Sequence, residues 1–293
     1  MKERYLVMDV AKCHDCNNCY MACTDEHAEN DWPGYQRPMP RHGHRWLDLL
    51  RRERGQNDRI DTAFLVKPCM QCGEASCMKA GDFVSRRDDG IVVFDPEGGA
   101  GKNIAELCPY GSIWWNEEEK VSQKCDFCAH LLDDPSWEPG TPRCVHSCPT
   151  GALAFVTEEP EAFAKRAAEE GLEPYRADGL PASKPHVYYK NLHRFTKNFI
   201  AGQLLKDGDV APGVKVSLVG PADAPGASGA GGAPGTGDTA NTEATAELVT
   251  DMFGEFRFDG LDDGEYTLSA DGKELARVKV DGASIDAGDF EMD

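Results

Sequence analysis

Twelve cysteines, all before residue 149, constrain this 293-residue chain more than any other feature. They run Cys13-x-x-Cys16-x-x-Cys19-x-x-x-Cys23, Cys69-x-x-Cys72-x-x-x-x-Cys77, a lone Cys108-Pro109, and Cys125-x-x-Cys128 followed by Cys144 and Cys148-Pro149. Twelve thiolates divide into three sets of four, and four thiolates is the ligand count of a 4Fe–4S cluster. A chain so spaced has little room for regular structure in its first half. Iron and sulfide supply much of its core, so the metal-free form is expected to be unfolded or molten.

A tight cysteine loop wraps three corners of a cubane and turns backbone N–H groups toward the sulfides. A cysteine three residues further on cannot easily reach the same cubane. In two-cluster ferredoxins it binds the other cluster. By that rule Cys13, Cys16 and Cys19 hold the first cluster with Cys148, and Cys125, Cys128 and Cys144 hold the second with Cys23. The exchange folds residues 13–23 against 125–148 about a pseudo-twofold axis. In the remaining set, the position where a crossing cysteine would fall after Cys77 is Gly81, and no Cys-x-x-Cys precedes Cys108. One cluster of a two-cluster half has been lost, which leaves Cys69, Cys72, Cys77 and Cys108 as a third cluster. All twelve cysteines are then metal ligands.

Two competing uses of the thiols fit less well. Zinc sites also use Cys-x-x-Cys pairs, but rarely Cys-x2-Cys-x2-Cys-x3-Cys. Cysteines three apart are badly placed for mutual disulfides. His14, His130 and His146 adjoin cysteines, where packing is the commoner role than ligation. Lys12 and Lys124 read equally as counter-charges to a cluster or as surface lysines. Trp114 and Trp115 read as core.

The net charge is −20, and residues 201–293 carry −13 of it. So acidic a chain is a poor partner for nucleic acid or anionic lipid. No apolar run is long enough to span a membrane, so no direct membrane insertion is expected. The opening residues Met1–Asp9 show neither an apolar signal core nor twin arginines, which places the chain in the cytoplasm as an expectation.

The fold class expected is α+β: a bacterial-ferredoxin-like multi-cluster domain, then a small antiparallel β-sandwich or barrel. Residues 1–156 form the ferredoxin-like domain, 157–198 a helix and connector, and 199–293 the β domain, with a flexible insert at about 220–245. Short strands are expected at 5–10, 90–95, 113–115 and 187–189, and a helix over 158–171 capped by Thr157 and stopped by Gly171. Residues 24–62 read as polar and irregular. Period-two alternation marks strands at 199–205, 214–219, 246–249, 254–258, 265–268 and 276–280. Asp259, Asp262 and Asp263 read as ordinary turn residues rather than a calcium site.

These cysteine sets, with Trp32-Pro-Gly-Tyr35, Gly43-His-Arg-Trp46, Cys108-Pro-Tyr-Gly111, Gln123-Lys-Cys125 and His130-Leu-Leu-Asp-Asp134, resemble the iron–sulfur electron-transfer subunits of the molybdopterin oxidoreductase (DMSO reductase) family. Members normally hold four clusters, and this chain departs by one. Within the family the motifs are most similar to subunits serving enzymes that dehydroxylate or transhydroxylate polyphenols of the catechol and pyrogallol type. The resemblance implies a large catalytic partner carrying a bis-molybdopterin guanine dinucleotide molybdenum centre, in a heterodimer or a multiple of it. It implies that this chain is not catalytic alone, that its β domain is transthyretin-like or Cna-B-like, and that the cluster of Cys13, Cys16, Cys19 and Cys148 lies nearest the molybdenum. It leaves the upstream electron donor unknown and also allows export together with a twin-arginine-bearing partner. The alternatives are the iron–sulfur subunit of another, quinol-linked molybdenum reductase, or a free-standing multi-cluster ferredoxin.

Overall fold

A computed structural model describes residues 1–176, 183–221 and 244–292. The chain divides into two compact units, one of residues 1–51 and 64–192, the other of 52–63 and 193–293. Most of the insert expected at 220–245 lies outside the described residues.

The first unit begins with β1 (Glu3–Asp9) and α1 (Asn18–His27); the hairpin of β2 (Asp48–Gln56) and β3 (Arg59–Lys67) follows, its residues 52–63 belonging to the second unit. Two further hairpins pair β4 (Val84–Arg86) with β5 (Val92–Phe94) and β6 (Trp114–Asn116) with β7 (Val121–Gln123). Then come two single-turn helices, α2 (Ala129–Leu132) and α3 (Arg143–His146), strand β8 (Leu153–Glu158), helix α4 (Pro160–Glu170) and strand β9 (Val187–Lys190). β1 is the centre of a three-stranded sheet, antiparallel to β8 and parallel to β9. Its buried Tyr5 and Val7 meet Phe163, Ala167 and Leu172 in one apolar cluster, where the Tyr5 and Phe163 rings stack 3.7 Å apart.

α4 starts on Pro160, whose fixed φ and missing N–H suit a first turn. It stops at Gly171, which adopts φ 64° and donates its N–H to the Ala167 carbonyl. Thr157 is in β8 rather than capping α4, because β1 draws residues 153–158 into its sheet.

Residues 24–62 are irregular only in part: 24–27 complete α1, 48–62 form most of the β2–β3 hairpin, and 28–47 between them hold no helix or strand. β2 escapes an alternation test because a buried arginine interrupts its inward positions: Arg54 is 4 % exposed, with Arg52 half-buried. Trp114 and Trp115 are half-buried rather than core.

The second unit contains α5 (His193–Thr196), β10 (Asn198–Lys206), β11 (Asp209–Val210), β12 (Lys215–Gly220), β13 (Ala244–Val249), β14 (Glu255–Leu261), β15 (Gly264–Ala270), β16 (Lys273–Val280) and β17 (Ile285–Met292). One sheet has the order β11–β10–β14 with β17 also on β10, and the other the order β13–β12–β15–β16. Inward residues of both, among them Ile200, Leu204, Phe256 and Phe258 from the first and Val216, Leu218, Tyr266 and Leu268 from the second, share one apolar core. Each such fully buried side chain contributes about 1.5–3 kcal/mol. Gly220 is required on β12: a Cβ there would stand 2.4 Å from the Tyr266 ring. The expected antiparallel pairing holds except at β17, which runs parallel to β10. That last strand is missed because its alternation is short, at Asp289-Phe-Glu-Met292, and a register shift breaks it from Ile285–Asp286.

The same unit buries an ion network. Both terminal nitrogens of Arg54 donate to Asp259 at 2.6 and 2.7 Å, and its Nη2 also donates to Asp61 at 2.8 Å. Arg194 donates to the other Asp61 oxygen at 2.7 Å, and Arg257 lies 3.9 Å over the Phe199 ring. Asp259 and Asp262 are thus salt-bridge partners, of Arg54 and Lys197 respectively. Burial works to raise the Asp61 carboxyl, but hydrogen bonds from Arg54 and Arg194 outweigh it and hold the group at about 2.

Replacing Arg54 by alanine leaves Asp61 with Arg194 and Arg257 and Asp259 with Arg257, and the lost buried hydrogen bonds are expected to destabilise this unit by about 1–3 kcal/mol, read as a lower urea midpoint of the whole chain. The depressed Asp61 group has its own signature. Its contribution is complete above about pH 4 and disappears as pH falls toward 2, so an Asp61→Asn variant should differ from the parent in melting temperature at pH 6 and converge with it near pH 2.

Candidate metal centre

Three loops bring the cysteines together, and they share a backbone device. The residue before the second cysteine of each set is left-handed: Asp15 at φ 54°, Gln71 at 48° and Phe127 at 58°. Left-handed backbone is costly for residues with a Cβ and gathers at functional sites. Here it curls each loop inward, so that the Phe127 N–H faces the Cys125 Sγ at 3.4 Å.

The first pocket is lined by Cys13, Cys16, Cys19 and Cys148, with His14, Asn17, Leu49, Val66 and Leu153. Cys16 is exposed there, Cys13 and Cys148 are intermediate and Cys19 is buried. The other pocket is lined by Cys69, Cys72, Cys77 and Cys108, with Val92, Tyr110, Ile113 and Lys124. Cys23, Cys125, Cys128 and Cys144 form the innermost group. All four are buried, and each of Cys23 and Cys128 is near enough to Cys125 and Cys144 to be affected by their charges.

Cys19 and Cys23 sit one turn apart on the same face of α1. α3, which packs against α1, carries Cys144, with Cys148 just beyond its end. Cys19 and Cys148 line the first pocket, and Cys23 and Cys144 belong to the buried group.

Among the described residues no group of three or more Cys, His, Asp or Glu is drawn close enough to hold a single metal ion. A tetrahedral zinc would draw its sulfurs to about 2.3 Å from one point. Two of the tetrads instead line pockets, and a four-thiolate donor set around a space fits a cubane. Burial pushes the Cys19 and Cys125 thiols up to about 12 and those of Cys72 and Cys77 up to about 11, while Cys23, Cys128 and Cys144 also rise. So many buried sulfurs ionise together only when iron supplies the compensating positive charge. Cys148 goes the other way. Burial works to raise it, but the Thr150 hydroxyl and the N–H groups of Leu153, Ala152 and Thr150 prevail. At Cys108 the Ser112 N–H lies 3.3 Å from the sulfur.

Of the neighbours singled out in the sequence, Lys124 and Lys12 part company. Lys124 is 1 % exposed and lines the pocket of Cys69, whereas Lys12 has a 58 % exposed side chain beside Asp9. His130 is occupied by Glu26 at 2.9 Å and stacked on Trp32, and His146 lies against Trp137. The histidine that reaches a cysteine is His27, with Nε2 at 3.6 Å from Cys128 Sγ. Burial lowers it to about 4, so it is neutral. Nothing in its local sequence marks it; only its place at the end of α1 does. Gln71 carries no sequence signal either. Fully buried, it donates to the Cys125 carbonyl at 2.7 Å and accepts from the Val92 N–H at 2.9 Å, tying two cysteine loops together.

The 4Fe-4S dicluster domain family matches residues 60–158, which defines the class as an iron–sulfur protein. Over 293 residues, 98 % of each chain, the sequence is 47 % identical to the pyrogallol hydroxytransferase small subunit of Pelobacter acidigallici. It is 30 % identical to the formate dehydrogenase-O iron-sulfur subunit of Escherichia coli strain K12 over 67 % of this chain and 69 % of that one. It is also 28 % identical to the formate dehydrogenase iron-sulfur subunit of Haemophilus influenzae, over 70 % of this chain and 69 % of that one. The chain belongs to the family of the pyrogallol hydroxytransferase small subunit, among the iron–sulfur electron-transfer subunits of the molybdopterin oxidoreductases. It is not catalytic alone. No helix among the described residues is long and apolar enough to cross a membrane.

Replacing Gln71 with alanine removes the partner of the buried Val92 N–H and leaves the Cys125 carbonyl with the Lys124 ammonium alone. The expected cost is about 1–3 kcal/mol, measured as a drop in the thermal midpoint of the anaerobically purified protein.

Proposed function

We propose that this chain carries three 4Fe–4S clusters and passes single electrons to or from a large subunit whose bis-molybdopterin guanine dinucleotide molybdenum centre dehydroxylates or transhydroxylates a polyphenol. The observation that carries the reading is the gathering of all twelve cysteines into three groups of four. Cys13, Cys16, Cys19 and Cys148 hold the first cluster. Cys23, Cys125, Cys128 and Cys144 hold the second, and Cys69, Cys72, Cys77 and Cys108 the third. Each cluster, when bound, supplies a site for one electron.

The chain's own residues do the rest. The loops at Asp15, Gln71 and Phe127 present N–H groups toward the sulfurs. Phe127, Ile113 and Leu153 are buried beside the cysteines and keep water out. Cys16 is exposed at the first pocket, which suits handing electrons to the partner there. In this reading residues 1–156 bear the clusters, 157–198 connect, and 199–293 form a β-sandwich of transthyretin or Cna-B type that covers part of the partner. Two sheets over one apolar core support that last element. The partners form a heterodimer or a multiple of one.

Anaerobic purification of the native complex should yield about twelve irons on this chain, four per tetrad, together with molybdenum. A catechol that loses a hydroxyl only when an artificial one-electron donor is present identifies a reductive dehydroxylase. Turnover of pyrogallol without a donor identifies a transhydroxylase. Absence of both activities and of molybdenum sinks the proposal.

A further inference from the structure

Two buried groups of opposite charge flank Cys125 in the chain. On one side is Lys124, 1 % exposed, lining the pocket shared by Cys69, Cys72, Cys77 and Cys108. Its ammonium donates to the Val92 carbonyl and to the Cys125 carbonyl at 3.1 Å, and stands 5.1 Å over the Phe94 ring. These partners attract a cation, yet none carries a formal negative charge. On the other side is Asp126, 2 % exposed, whose Oδ1 accepts the Cys128 N–H at 2.9 Å inside the loop that presents Cys125 and Cys128. That partner is neutral as well.

A buried ion without a counter-ion is costly. Lys124 lines the pocket of the Cys69 group while its ammonium also touches the Cys125 carbonyl. Asp126 lies in the loop between Cys125 and Cys128, which presents two sulfurs of the innermost group.

Reduction of a cluster adds one electron, with no bond made or broken. A neighbouring cation favours that added charge and a neighbouring anion opposes it, more strongly inside protein than in water. We propose that Lys124 and Asp126 set the order of the cluster potentials: the cluster at Cys69, Cys72, Cys77 and Cys108 is reduced before the cluster at Cys23, Cys125, Cys128 and Cys144. This rests on the ligand sets proposed above. An electron entering this chain then settles on the outer Cys69 group and must climb to pass the innermost one. The device separates storage from onward transfer.

The test is a dithionite titration of the anaerobic complex, with each cluster followed by electron paramagnetic resonance, in the parent, Lys124→Met and Asp126→Asn. Lys124→Met should lower the reduced-to-oxidised ratio of one cluster about tenfold at fixed potential, equal to 59 mV for one electron. Asp126→Asn should raise that ratio by a similar factor at a different cluster, one with a lower midpoint in the parent. Equal shifts at all clusters, no shift, or a Lys124-sensitive cluster lying below the Asp126-sensitive one overturns the proposal. If Lys124→Met fails to retain iron, Asp126→Asn decides alone: a rise confined to one low-potential cluster supports the ordering, and no change overturns it. A parent chain holding fewer than twelve irons overturns the ligand sets first, and the two failures are told apart by iron content.

Discussion

Burying sulfur is the constraint on which the first unit depends. A thiolate set in an apolar interior is unfavourable, and burial raises the thiols of Cys19, Cys23, Cys125 and Cys144, whereas local donors hold Cys148 down. The remedy is local and repeated: three left-handed residues, one per loop, turn backbone donors toward the sulfurs, and iron supplies the missing positive charge. Around this lies an ordinary core that includes β1 with α4 at one side and a small cluster of Phe83, Val92, Phe94 and Ile113. The family's electron-transfer role follows from the same chemistry, since a redox centre insulated by such a shell exchanges electrons while water is kept away.

The second unit solves a different problem by different means. It has a large apolar core between two sheets and a buried guanidinium, Arg54, shared between Asp61 and Asp259. The residues that make this network come from the tip of the β2–β3 hairpin and from β14, far apart in sequence. A buried network of this kind is sensitive to loss of one partner rather than a source of large net stability. Its value lies in fixing which strand meets which.

Much of the site was legible from spacing. Cys13, Cys16, Cys19 and Cys148 line one pocket and Cys69, Cys72, Cys77 and Cys108 another, and the local part of each set is short-range geometry that spacing alone expresses. The strands of the second unit were legible where apolar and polar residues alternate, as at Val216, Leu218 and Tyr266, Leu268. The hairpin at 48–67 was not, since a buried arginine, Arg54, interrupts the apolar inward positions Leu49, Ala63 and Leu65. Nor was β17, whose parallel pairing depends on a neighbour eighty residues upstream.

The sequence by itself carried the chemistry: cysteine intervals of iron–sulfur type, which follow from how far a short loop reaches. The tertiary structure alone decided which neighbours act on the sulfurs. Lys124 and Lys12 look alike beside their cysteines, yet one is sealed inside and the other lies in water. His27 reaches Cys128 across a hundred residues, while the adjacent-looking His130 turns away to Glu26. The physical reason is that ligation is written in local spacing, whereas burial and through-space charge are set by what the rest of the chain folds against them.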